Sequence, residues 1–323
     1  MSTMKDVAQK AGVGLGTVSR VINRTGSVKE STRIKVEQAI KDLNYQPNEV
    51  ARNFKMQQSQ SVALIVPSIW HPFFSEFAYF VEKTLSSNGY KMILCNSESD
   101  AQKEINYINM LEKNKIDGLI AITYSEDIDQ YVSSNLPIVS IDRHFTEDVV
   151  YITSDNHKGG QMAAQQLVNR GCTNIAFMGS ISTIKNESMY RRNGFEEKAQ
   201  EIDISCVIFE KEEPIEHLEQ TIEGFVSEHP ELDGIFAMND KWARIIINTL
   251  EKQGKNIPKD VQVIGYDGLR SSKEAGLTFS TIRQPVQDMG EQAVTALLNI
   301  IHEEPVKSRI VLPVEFYDGF STV

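Results

Sequence analysis

The chain of 323 residues holds no apolar run near the roughly 18 residues that a membrane-spanning helix needs. Its opening segment, Met1 to Lys10, also lacks the apolar stretch of a signal sequence, so the protein is expected to stay in the cytoplasm. Cysteine is scarce: Cys95, Cys172 and Cys206 are odd in number and far apart. That excludes a disulfide framework and the paired spacing of a zinc site, and the three read as buried thiols in a reducing compartment. The six histidines are scattered, without HExxH, and no GxSxG occurs, so the metalloprotease and α/β-hydrolase constellations are missing. A GxGxG does occur in "GVGLGTVSR", residues 12–20. No strand precedes it, so it is not a dinucleotide-binding loop. The chain reads as a non-enzyme without cofactor or metal.

Basic charge is also in deficit, the formal net charge being −11, but it is unevenly spread. Ten Lys and Arg against five Asp and Glu give residues 1–60 a net of +5, which leaves −16 for the remainder. A small basic head on a large acidic body is the asymmetry expected when one end meets phosphates. Within the head, "KDVAQKA" places Val7, Ala8 and Ala11 on one helical face. Gly12 then suits a left-handed helix end, and Val13 plugs the turn into the core. Val18, Val21 and Ile22 share a face of a second helix, from which Thr17, Ser19 and Arg20 lean outward. A third helix, "STRIKVEQAIKDLNY", has Ser31 as candidate N-cap and Ile34, Val36, Ile40 and Leu43 as apolar positions. This succession predicts a helix-turn-helix head.

From Val62 the pattern changes. "SVALIVP", "YKMILCN", "DGLIAIT", "PIVSID", "VVYITSD", "TNIAFMG", "ISCVIFE", "DGIFAMN" and "VQVIGYD" each hold four to six consecutive apolar or β-branched residues, as buried parallel strands do. Amphipathic stretches lie between them, which predicts an α/β body of two similar lobes joined near Asn156 to Gly160. Ligands of such sheets bind beyond the carboxyl ends of the strands, here between the lobes. A pyranose there needs apolar walls for its C–H faces and charged or amide groups for its hydroxyls. "IWHPFF" after the first strand offers Trp70, Phe73 and Phe74, where the alternative is core for Phe73 or Phe74 and an exposed lip for Trp70.

"MKDVAQKAGVGLGTVSRVIN", "TSDNHKGG", "RRNGF", "AMNDKWA", "VIGYDG" and "STIRQP" together resemble the LacI/GalR family of bacterial sugar-responsive repressors over essentially the whole chain. Within it, "CNSE", "VIGYDG" and "TIRQPV" are most similar to the sucrose-operon repressors of Gram-positive bacteria. The resemblance implies a helix-turn-helix domain at 1–46, a hinge helix and linker at 47–61, and a type I periplasmic-binding-protein-like body at 62–323. In that body the N-lobe takes about 62–158 and 287–313 and the C-lobe about 159–286 and 314–323. It also implies that Leu15, Gly16 and Arg20 face base edges while Thr17, Ser19 and Asn23 meet phosphates. Gly14 stands where the family has a capping Ser. Phe54, with Lys55, stands in the hinge where the family wedges a leucine into the operator's minor groove.

For the cleft, the resemblance implies that Arg191, Asn239 and Asp267 bind hydroxyls. Asp155, Asn156 and Gln284 are further candidates, and Arg143 and His144 either reach the cleft or pair locally. The implied function is a homodimeric operator-binding repressor whose DNA affinity changes when a sugar or sugar phosphate fills the cleft. The absence of a heptad tail over Val314 to Val323 argues against a coiled-coil tetramer. The competing readings are a global carbon regulator answering to a phosphocarrier protein, and a sugar-binding protein that does not bind DNA.

Overall fold

The computed structural model describes the chain except residues 1, 24, 47–58, 114, 134, 146–148, 183, 185, 271 and 273. It divides into two compact units, Met1–Ser59 and Gln60–Val323. Most of the expected hinge, with Phe54 and Lys55, falls on 47–58 and so lies outside the described residues.

Three helices build the first unit. Helix α1 (Met4–Ala11) starts at a reciprocal capping box, in which Thr3 Oγ1 accepts the Asp6 N–H and Asp6 accepts the Thr3 N–H at 2.7 Å. It ends at Gly12, whose φ of 65° carries no Cβ penalty, and the Val13 N–H reaches back to the Ala8 carbonyl. Helices α2 (Leu15–Asn23) and α3 (Glu30–Asp42) close over a core of Val7, Ala8, Val18, Val36 and Ala39. Two expectations for α3 fail. The helix begins one residue before Ser31, so the N-cap position goes to Lys29, whose side chain makes no capping bond. Ile34 is 56 % exposed because it stands two residues, about 200° around the axis, from buried Val36.

In the second unit all nine apolar runs are strands, most of them buried beneath helices. The expectation of burial fails for two edge strands: Lys91–Asn96 leaves Ile93 and Leu94 at the surface and Ser205–Glu212 is only half-buried, because an edge strand is less fully covered. One sheet contains β1 (Ser61–Val66), β2 (Lys91–Asn96), β3 (Gly118–Ala121), β4 (Ile138–Ile141), β5 (Val150–Ser154) and a late strand, β11 (Arg309–Leu312). Its order is β11-β5-β4-β3-β1-β2, parallel throughout. The other contains β6 (Asn174–Ile181), β7 (Ser205–Glu212), β8 (Gly234–Ala237), β9 (Gln262–Asp267), β10 (Thr281–Arg283) and β12 (Glu315–Tyr317). Its order is β12-β10-β9-β8-β6-β7, with β12 antiparallel to β10. The chain therefore passes between lobes after β5, after β10 and after β11.

Helices α4 (Pro72–Ser87) and α10 (Val286–Ile301) share the core of the first lobe, and α5 (Ala101–Glu112) covers its other face. In the second lobe α6 (Asn156–Asn169) and α7 (Met189–Glu201) pack on one face, α8 (Leu218–Glu228) and α9 (Asp240–Lys252) on the other. Helices α6 and α7 touch backbone to backbone. A Cβ on Gly160 would stand 2.0 Å from the Arg191 carbonyl oxygen, and one on Gly194 would stand 2.0 Å from that of His157.

Candidate functional site

On the head, α2 presents Leu15 (42 % exposed), Gly16 and Arg20 to solvent. Thr17 and Ser19 are half-buried, and Ser19 Oγ accepts a hydrogen bond from exposed Asn23 at 3.2 Å. Gly14 supplies no side-chain cap, but its carbonyl accepts the N–H groups of Thr17 and Val18.

In the body a cavity of about 240 Å³ lies at the carboxyl ends of the parallel strands of both lobes. The first lobe lines it with His71, Phe73, Phe74, Ser99, Tyr124 and Asp142. The second brings, among others, Arg191 and Arg192 from α7, Glu210 and Glu213 at the end of β7, Asn239, Asp267 and Gln284. Arg191 is buried and fixed on several sides. Its Nε donates to Asn156 Oδ1 at 2.7 Å and its Nη1 to the Met238 carbonyl at 2.7 Å, while the guanidinium stacks 3.6 Å from the Tyr266 ring centre. Asp267 Oδ1 stands 3.6 Å from Nη1 and accepts Gln284 Nε2 at 2.8 Å. Gln284 in turn accepts Ser154 Oγ of the first lobe at 2.8 Å. A chain of polar contacts thus runs from one lobe, through the cavity wall, to the guanidinium.

Asp267 has φ of 109°, a region that a residue with a Cβ enters at a cost of about 1–3 kcal/mol. The hydrogen bond from Gln284 and the facing Arg191 hold it there. Burial pushes its carboxyl above the ordinary range, against the pull of Arg191. Asp142 is pushed up to about 6 by burial, although Thr153 Oγ1 donates to it at 2.6 Å. Burial also lowers His71, so its imidazole is neutral at pH 7, and Nδ1 has no hydrogen-bond partner among the described residues. Asn239 caps α9 by accepting the Trp242 N–H at 3.0 Å, which leaves its amide nitrogen for a ligand oxygen.

Of the residues singled out in the sequence, Phe73, Phe74, Arg191, Asn239, Asp267 and Gln284 meet at this cavity. Trp70 does not. It sits in the turn after β1, 92 % exposed, its N–H bonded to Ser68 Oγ and its ring in solvent. Asn156 is not in the wall either, being buried behind Arg191 as its hydrogen-bond acceptor. Asp155 caps α6 through the Lys158 N–H. Arg143 turns away, bonding the Ser125 carbonyl at 2.6 Å and Asp129 at 3.0 Å and lying over the Phe145 ring, while exposed His144 meets the Tyr151 ring edge.

Sequence reasoning missed His71, Asp142, Glu210 and Glu213. Asp142 immediately precedes the pair that drew attention in "SIDRHF", and counting from the last apolar residue of the strand finds it. The same count applied to "ISCVIFEKEEP" marks Glu210 but not Glu213, which lies four residues past Phe209.

Among the described residues, no group of three or more His, Cys, Asp or Glu could hold a metal ion, and no helix is long and apolar enough to cross a membrane. The sequence matches two family models: the bacterial regulatory proteins of the lacI family over residues 3–48, and the periplasmic binding proteins and sugar binding domain of the LacI family over residues 59–319. The chain belongs to the LacI family. Among LacI-family relatives, it is 35 % identical to the sucrose operon repressor of Pediococcus pentosaceus over 98 % of both chains. It is 34 % identical to the ribose operon repressor of Halalkalibacterium halodurans over 95 % of this chain and 92 % of that one. The two relatives thus do not separate sucrose from ribose. A LacI-family regulator from Alkaliphilus metalliredigens, solved with D-xylulofuranose, matches at TM-score 0.69 and 27 % identity over 82 % of this chain and all of that one. The fold also matches the Lac repressor dimer solved with operator and the anti-inducer ONPF, at TM-score 0.86 and 24 % identity over 100 % of this chain and 99 % of that one.

Proposed function

We propose that this LacI-family chain is a cytoplasmic, homodimeric transcriptional repressor, not an enzyme, whose operator affinity changes when a sugar occupies the body cleft. One observation carries the reading. A single chain joins a helix-turn-helix unit exposing Leu15, Gly16 and Arg20 to a cleft in which an Arg191–Asp267–Gln284 set faces Phe73 and Phe74. A guanidinium can make a bidentate pair with guanine, worth about 1–3 kcal/mol of discrimination. Leu15 offers contact to a thymine methyl, and Thr17, Ser19 and Asn23 suit phosphates. Phe54 and Lys55 are assigned to the operator's minor groove. In the cleft, aromatic rings suit the C–H faces of a sugar, and Arg191, Asn239, Asp267 and Gln284 suit its hydroxyls. The domain divisions read from the sequence, 1–46, 47–61 and 62–323, stand as part of the proposal. Dimerisation is supported by Tyr79 on α4 and by Ile93 and Leu94 on edge strand β2, large apolar side chains left at the surface.

The test is a DNA titration with the fragment upstream of the protein's own transcription unit, with and without sugar. A coupling of about 5–150-fold is expected. Because linkage is reciprocal, sugar affinity must change by the same factor when operator is present. Equal sugar affinity with and without operator removes the allosteric part of the proposal, and loss of DNA binding is expected on deleting residues 1–59.

A further inference from the structure

We infer that the cleft takes an uncharged polyhydroxylated ligand, a free sugar and not its phosphate ester; this rests on the sugar-regulated reading above. The wall carries four carboxyl groups, Asp142, Glu210, Glu213 and Asp267, against two guanidinium groups, Arg191 and Arg192. Both cations already face carboxylates of the protein, although Arg192 Nε has no hydrogen-bond partner among the described residues. Arg191 faces Asp267 at 3.6 Å and spends donors on Asn156 and the Met238 carbonyl. Arg192 meets Glu196 at 2.9 Å and Glu210 at 3.9 Å. Each positive charge is thus balanced by a carboxylate within salt-bridge distance, and neither is left in excess for a phosphate.

Helix starts are the opposing feature, since α4, α7 and α9 all begin at the cavity, and a helix N-terminus carries roughly half a positive charge. The start of α9 is already capped by Asn239, which accepts the Trp242 N–H. The two that remain do not offset the excess of carboxylates. Hydrogen-bond polarity points the same way. Ionised carboxylates only accept, so they call for donors, as the Ser180 hydroxyl shows by donating to Glu213 at 2.6 Å. Sugar hydroxyls supply donors at every position, whereas a phosphate dianion adds acceptors facing acceptors and repels the same groups.

Calorimetric titration of the full-length protein tests the inference, using sucrose, ribose, glucose and fructose beside ribose 5-phosphate, glucose 6-phosphate and fructose 6-phosphate. A free sugar is expected to bind, with the phosphate esters at least about tenfold weaker. Raising the salt should narrow that gap while leaving the free sugar's affinity unchanged. Glu213→Gln should narrow it several-fold as well, and the salt series decides the matter if that variant does not fold. An ester binding as tightly as the free sugar, or more tightly, overturns the inference and leaves the sugar reading intact. Silence from every free sugar and every ester overturns both.

Discussion

In the first lobe, α10 also comes close to α4 but leaves some room: a Cβ on Gly290 would lie 3.0 Å from the Cβ of Phe80 and 3.4 Å from the Val81 backbone nitrogen, contacts that a shift of a few tenths of an ångström relieves. In the second lobe the corresponding pair, α7 and α6, meets through bare backbone at Gly194 and Gly160, with no room for any added atom. The strand orders of the two sheets correspond, but the lobes differ in what they bring to the cleft. The first contributes the Phe73 and Phe74 rings, whose dispersion contacts tolerate sub-ångström displacement, with Asp142 and His71 as polar groups beside them. The second contributes the guanidinium, carboxylates and amides, whose hydrogen bonds do not. Rigidity is concentrated where direction matters: the interhelical contact that locks α7 also fixes the backbone of Arg191.

The sharpest way to break this comparison is to add one methyl group to each helix pair. Gly160→Ala drives a Cβ into the Arg191 carbonyl, so it is expected to destabilise the body by about 3 kcal/mol or more, at or beyond the usual range for overpacking. It should also weaken sugar binding. Gly290→Ala should be nearly neutral, because the helix-propensity gain of about 1 kcal/mol offsets a slight displacement of Phe80. Thermal unfolding of the two variants decides the point, and equal losses would mean that the lobes are packed alike.

Each lobe also buries an arginine, and the two are expected to fail differently. Arg191→Ala leaves Asp267 buried and unpaired, which costs about 3–5 kcal/mol, and it abolishes the sugar response. DNA affinity should stay near normal. Arg143→Ala leaves Asp129, whose side chain is 38 % exposed and can hydrate, so the loss should be about 1–3 kcal/mol with sugar affinity kept within about twofold. Denaturant unfolding and sugar titration on the same samples separate the two outcomes.

These contrasts show what the sequence could and could not say. The nine apolar runs were legible because central strands covered on both faces must be continuously apolar and the edge strands β2 and β7 keep the same composition, and Gly12 because a helix end asks for positive φ. Arg191 and Asp267 were found through family resemblance, and Phe73 and Phe74 through their place after a strand. Glu210 and Asp142 were harder to find. A carboxylate at a strand end looks like any solvated surface charge until the opposite lobe is placed over it, and that lobe comes from distant sequence. Trp70 misled for the converse reason: a large ring beside a cleft suggested a wall, but nothing in one dimension says which way a turn residue points.

Buried carboxylates in the two lobes give a pH signature of smaller size. Burial raises Asp142 to about 6 and Asp240 to about 7 from an ordinary 3.8, so between these limits the folded body holds more protons than the unfolded chain. Stability should therefore rise as pH falls from 8 to about 5.5, the reverse of ordinary acid destabilisation. His71, lowered by burial, opposes this below its ordinary 6.5, because there the unfolded chain gains the proton. In the head, Asp6 and Asp42 are lowered, by hydrogen bonds from Thr3 and Gln38 respectively, so any change they cause is a loss near or below their ordinary 3.8. Differential scanning calorimetry from pH 8 to 5.5 should show the body's transition moving up. A downward shift would mean that both carboxyls are ionised without penalty.

The smallest effect is expected at Trp70, which tests whether the first lobe's contribution ends at the residues that line the cavity. Its neighbour His71 starts α4 and lines the cavity wall, whereas the indole is in solvent, and the turn is held by backbone bonds that an alanine retains: the Trp70 N–H to Ser68 Oγ and the Ile69 N–H to Asn96 Oδ1. Trp70→Ala should therefore leave sugar affinity within about twofold and stability within about 0.5 kcal/mol, the range of surface substitutions. A larger loss of affinity with unchanged stability would mean that the ligand-bound lobes close far enough to bring the indole over the cleft, adding a third ring to Phe73 and Phe74.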